Sequence, residues 1–395
     1  MRGGDMTQRG AMTGGRTREV SSLDVMRLLA AQAVMFYHLV FLSWAESAGS
    51  HGIRAVVGNP MAFPQAVAWA SVGWVGVQIF FVISGFVILM SAQNKSASDF
   101  LIGRVTRIAP ALWFFTVLSA AIVLACSVLP LGELSVRFLR SMVLFPVGPW
   151  VDGAVWTLVA EAVFYAAVFV LIRMDMIGRI TPVLVAVTLF NVLFWAAVLA
   201  GEAGILGEAG HRLAGAASSY KLRVTLISTN CYFAVGASLY QIFMRRNVPV
   251  HAALFGLNFL AALVSTFYAA RSSVGVAQFG QTPLVAVGVW GVATLVMSGC
   301  VLRRIGSKGS FVPFATMAGL LTYPLYLINQ ITGGFLLGLG YRSGLAPVLA
   351  VIVAAGLCTV FAGLFALLIE RRLQAGLSKI LKHQFRRPAP ALQEA

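Results

Sequence analysis

The chain has 395 residues, of which 59% are hydrophobic and only 11% charged, and its mean hydropathy is +0.86. An ordinary soluble domain carries roughly 25% charged residues, so a soluble globular fold is excluded. The formal net charge of +16, from 29 Lys and Arg against 13 Asp and Glu, is read as the positive-inside signal of a membrane protein and implies no nucleic-acid partner.

Residues 1–22 are rich in Gly, Arg, Thr and Ser and are expected to form a disordered cytoplasmic tail. Apolar runs suited to spanning helices of about 20 residues follow near 23–45, 67–91, 108–129, 154–172, 180–200, 223–244, 249–269, 282–302, 311–338 and 346–369. They predict an all-α fold, a polytopic membrane helix bundle of about ten transmembrane helices occupying 23–373. The first run is longer than a signal core and opens with Asp24 and Arg27, so it is read as a span and not as a cleaved leader. A basic cytoplasmic tail, 374–395, closes the chain, with no packed element expected from Arg386 onward.

With the N-terminus inside, 21 of the 29 basic residues lie on cytoplasmic segments, leaving Arg54, Arg137, Arg140, Arg212, Lys221, Arg223, Arg271 and Arg342 outside. Both termini are therefore placed in the cytoplasm. Outside loops at 46–66, 130–153 and 201–222 are long enough to line a binding surface. Cys126, Cys231, Cys300 and Cys358 stand singly, which predicts neither a disulfide framework nor a metal site.

Ionisable groups inside a bilayer are costly, so each is a functional candidate. Arg27 and His38 are eleven residues apart, about 20° from a whole number of helical turns, so they share a face with His38 roughly 16 Å along the axis. Asp24, three residues before Arg27, can pair with it. Arg104 and Arg107 set two guanidinium forks one turn apart at the cytoplasmic mouth of the third span, a geometry suited to phosphate. Glu161 lies in the fourth span at a depth close to that of His38, with Tyr165 at i+4 as a donor and His38 as a candidate partner across a helix interface.

The stretch Leu23-Asp-Val-Met-Arg27 with His38 resembles the first-span signature of the acyltransferase-3 family of integral membrane O-acyltransferases. So, in order, do Gly76 to Phe86, with Ser84 and Gly85; the Arg104-x-x-Arg107 element; and Trp156 to Tyr165, with Thr157 in a serine position. Two departures stand out: Gly103 occupies the place of a frequent arginine, and Asn329, after Tyr326, that of a frequent histidine. Asn329 cannot relay a proton by titrating.

The resemblance implies a donor acyl-CoA, most often acetyl-CoA, entering from the cytoplasm. The acceptor it implies is a hydroxyl of a sugar, polysaccharide or glycosylated molecule on the other side of a bacterial inner membrane. His38 is then the catalytic base and Glu161 its catalytic partner, while Arg27, Arg104 and Arg107 bind the CoA. Asp24, Ser84, Gly85, Trp156, Tyr165, Tyr326 and Asn329 line the site, and no metal is required. The alternative is a transporter or flippase for a glycan or anionic small molecule, since the same charged residues would also suit a substrate pathway.

Overall fold

Helices that are apolar on every side are stable only where lipid or another helix covers each face. The computed structural model of the chain describes residues 21–47, 49–306 and 311–385, and its regular secondary structure is helical throughout. Twelve principal helices build it: α1 (Ser21–Ala45), α2 (Val75–Ala92), α3 (Ala97–Ala125), α4 (Val155–Arg173), α5 (Ile180–Glu202) and α6 (Asn230–Phe243). After them come α7 (Val248–Arg271), α8 (Pro283–Leu302), α9 (Phe311–Ile328), α10 (Ile331–Arg342), α11 (Pro347–Leu364) and α12 (Arg371–Phe385). Nine helical stretches among the described residues are long and apolar enough to cross a membrane. Leu193, Leu260, Val292, Ile352 and Val360 are among the large apolar side chains left exposed on them, as a lipid-facing surface requires. The chain is a multi-pass membrane protein.

The sixth expected span, 223–244, is not one long helix. Its helical part, α6, has 14 residues, roughly 21 Å against a hydrocarbon core of about 30 Å, and Cys231 to Gln241 are all buried within the bundle. It is reached through an irregular stretch at 225–229 whose backbone is satisfied by side chains: Ser265 Oγ donates to Ser228 O at 2.8 Å and Thr229 Oγ1 to Arg223 O at 2.8 Å. Phe81 packs on Tyr232 and Phe86 on Tyr240, so α6 runs parallel to α2.

The expected span 311–338 is likewise two helices, broken at Asn329 and Gln330 between α9 and α10. Gly319 of α9 lies against Asp24 and Asn329 bonds to His38, so α9 runs parallel to α1. The last two residues assigned to the disordered N-terminal tail, Ser21 and Ser22, begin α1, and much of the expected C-terminal tail is the helix α12. The remainder of both tails lies outside the described residues.

Close helix crossings depend on glycine. A Cβ on Gly236 would sit 1.8 Å from Val82 O, and one on Gly85 2.0 Å from Phe233 O, so α2 and α6 meet backbone to backbone.

Candidate active site

Two cavities penetrate the bundle and share Val77 and Tyr326 as a common wall. The first, about 400 Å³, is lined by Asp24 and Arg27 of α1, Ser84 of α2, Arg104 and Arg107 of α3, Glu161 and Tyr165 of α4, and Tyr323 of α9. The second, about 320 Å³, is lined by His38, Trp74, Gln78, Trp156, Arg223 and Gln330, among others. We call them the arginine cavity and the histidine cavity. Trp156 and Thr157, adjacent at the start of α4, face different cavities.

In the arginine cavity Asp24 and Arg27 pair at 3.1 Å, as their spacing on one helix face predicts. Arg104 stacks its guanidinium near the rings of Phe100 and Tyr165, at 5.7 and 5.8 Å, and its Nε is buried without a hydrogen-bond partner among the described residues. Neither Arg104 nor Arg107 is ion-paired among the described residues. Glu161 accepts a hydrogen bond from Ser84 Oγ at 2.7 Å, and Tyr165 bonds to it as well. Three guanidinium groups thus face two carboxylates, one of which is already engaged by Arg27.

His38 belongs to the other cavity, so the expected Glu161 to His38 contact is not made. Its partner is Asn329: His38 Nδ1 lies 2.5 Å from Asn329 Oδ1. The amide nitrogen donates to Leu325 O at 3.1 Å and Tyr326 O at 2.8 Å, which turns the amide oxygen toward the imidazole. An oxygen can only accept there, so Nδ1 carries the proton and Nε2 keeps its lone pair. His38 sits in a π-helical turn, Tyr37–Leu42, a distortion often found at functional sites.

The junction is tied by hydroxyls. Thr157 Oγ1 and Tyr326 OH are 2.8 Å apart, and Tyr326 OH also reaches Ala154 O at 3.4 Å. Just behind, Asp152 Oδ1 accepts from Ala154 N at 2.8 Å and its carboxyl from the Ile331 amide, so one side chain caps the N-termini of both α4 and α10. Burial pushes the Asp152 carboxyl up to about 7 against these backbone bonds.

The sequence-expected residues therefore divide. Asp24, Arg27, Ser84, Arg104, Arg107, Glu161 and Tyr165 meet in one cavity, His38 and Trp156 in the other, and Tyr326 borders both. Asn329 is fully buried behind His38. Gly85 lines neither cavity and serves the α2–α6 crossing instead. The sequence reading did not select Asp152, Gln330 or Arg223. The first two are legible only once the break at 329–330 is known, and Arg223 read as one more outside arginine.

The family described as Acyltransferase domain, of the acyltransferase-3 type, matches residues 20–368. The chain is 27% identical over 318 residues to the exopolysaccharide production protein ExoZ of Rhizobium meliloti (strain 1021), covering 77% of this chain and 90% of that protein. No solved structure matches.

Proposed function

Because the chain belongs to the acyltransferase-3 family, we propose that this membrane acyltransferase moves an acyl group, most simply acetyl, from acyl-CoA to a hydroxyl of a glycan. The donor enters from the cytoplasm and the acceptor from the opposite face of a bacterial inner membrane, both termini being cytoplasmic. The similarity to a protein of exopolysaccharide production favours a polysaccharide or a lipid-linked precursor of one. The observation that carries the reading is the pair of cavities meeting at Tyr326, one edged by unpaired guanidinium groups and the other by His38.

In this reading Arg104 and Arg107 take phosphate oxygens of CoA and Arg27, steadied by Asp24, holds the pantetheine or pyrophosphate region. The thioester reaches the junction, where the acceptor hydroxyl arrives from the histidine cavity. His38 Nε2 removes the hydroxyl proton as the oxygen attacks the thioester carbonyl carbon. Hydroxyl donors at Thr157 and Tyr326 stabilise the oxyanion. The carbon–sulfur bond breaks, the thiolate takes the proton held by His38, and CoA and the ester leave. Glu161, held by Ser84 and Tyr165, offsets the guanidinium charge about the thioester.

The test is acetyl-CoA binding and transfer by the purified protein in detergent. Binding should saturate and weaken at least tenfold in the double variant Arg104→Ala, Arg107→Ala. His38→Ala should bind acetyl-CoA normally and lose transfer by about 10² to 10⁴. Folded protein that binds no acyl-CoA would favour the transport reading, for which opposed cavities are equally suited. Full transfer by His38→Ala would remove the base.

A further inference from the structure

We infer that the acceptor is anionic: the histidine cavity is built to take a glycan bearing a carboxylate, with Arg223 as the group that binds it. This rests on the acyl-transfer reading and names its acceptor class.

Arg223 lies on the short helix Tyr220–Val224, ahead of the irregular stretch that leads to α6. Its guanidinium stands 5.0 Å above the centre of the Trp156 ring, and both side chains line the cavity that contains His38. Its Nε is buried without a hydrogen-bond partner among the described residues.

The other arginines of the same face behave differently. Arg271 pairs with Glu202 at 2.8 Å, Arg137 with Glu133, and Arg212 with Glu208 at 3.8 Å. Arg54, Arg140 and Arg342 donate to the backbone carbonyls of Glu46, Gly148 and Val57. Arg223 alone among these has no ion pair or side-chain hydrogen bond within the described residues, and it alone lines the cavity. No Asp or Glu among the described residues borders that cavity. A guanidinium withdrawn from water without a counter-charge is costly, and a ligand carboxylate is the group that would complete it in fork geometry.

The rest of the lining suits a sugar. Ser218, Ser272, Ser273 and Gln330 offer hydrogen-bonding groups, while Trp74 and Trp156 offer flat apolar faces, the mixture of apolar wall and few polar groups expected of a small-molecule site. A uronate or an acidic ketal on the glycan, held by Arg223, would present a neighbouring hydroxyl to His38 across the same cavity.

The experiment uses the full-length protein in detergent and two probes: a trisaccharide of glucuronate, and the same trisaccharide with its carboxyls reduced to neutral alcohols. Ligand-observed NMR titration should show the glucuronate probe binding about tenfold more tightly than the neutral one, an advantage that shrinks with added salt. Arg223→Gln should bring the two within twofold of each other, and Arg223→Lys should keep part of the difference. Equal binding of both probes, no binding of the glucuronate, or discrimination surviving in Arg223→Gln would each overturn the inference. Acetyl-CoA binding by the same samples reports whether the variants are folded. If the Gln variant does not fold, the wild-type comparison of the probes still decides. Loss of acetyl-CoA binding by the wild type would instead strike the acyl-transfer reading, which is a separate result.

Discussion

At the scale of single residues, an amide does what a second titrating group would be expected to do. Asn329 spends its nitrogen on two carbonyls of its own helix and turns its oxygen to His38, so the imidazole is held in one tautomer without a neighbouring charge. Asn329→Leu should lower kcat by about 10- to 100-fold, the range of a lost orienting partner, while leaving acetyl-CoA affinity unchanged. Parallel losses in both would mean that the residue only packs. Asp152 makes a prediction of another kind. Its carboxyl titrates near 7 when folded and near 3.9 when unfolded. The folded protein therefore retains a proton that the unfolded chain releases, and stability from this group is lost as pH rises from about 4 to about 7. Asp152→Asn keeps the accepting oxygen and removes the titration. The melting temperature of the wild type should fall relative to the variant across that window, by several degrees, and a constant difference from pH 4 to 7 would refute it.

At the scale of elements, three interruptions of the helices lie beside the histidine cavity. The π-helical turn carries His38, the break after α9 presents Gln330 to the cavity, and the irregular entry to α6 follows Arg223. Non-helical backbone at membrane depth survives only where protein or water satisfies it, and here side chains such as Thr229 and Ser265 do so. The crossing of α2 with α6 shows the opposite demand, close approach. Gly236→Ala would force a Cβ against Val82 O and should cost about 1–3 kcal/mol, read as a lower melting temperature in detergent. Gly103→Ala, with nothing within 4 Å of its Cβ, should be neutral or slightly stabilising. Equal effects at the two sites would refute the crossing argument.

At the scale of the whole molecule, the cavities imply access from two sides. In a background lacking the four native cysteines, Ser273→Cys beside the histidine cavity should react with a membrane-impermeant maleimide in intact cells. Thr316→Cys beside the arginine cavity should react only after permeabilisation. Labelling of both from one side would contradict the topology. Composition and charge distribution alone determined that this is a polytopic helical membrane protein, because about twenty apolar residues have no other stable setting. The rarity of charge in the spans singled out Arg27, His38, Arg104, Arg107 and Glu161. Helical spacing also predicted the Asp24–Arg27 pair, since both residues share one helix. Only tertiary structure decided what depends on two helices meeting. It placed His38 and Glu161 in different cavities although the sequence puts them at similar depth, gave His38 to Asn329, assigned Gly85 to packing and left Arg223 without an acceptor among the described residues. The angle of a side chain about its own helix carries no information about which neighbour it faces, and that choice belongs to the packing of the bundle.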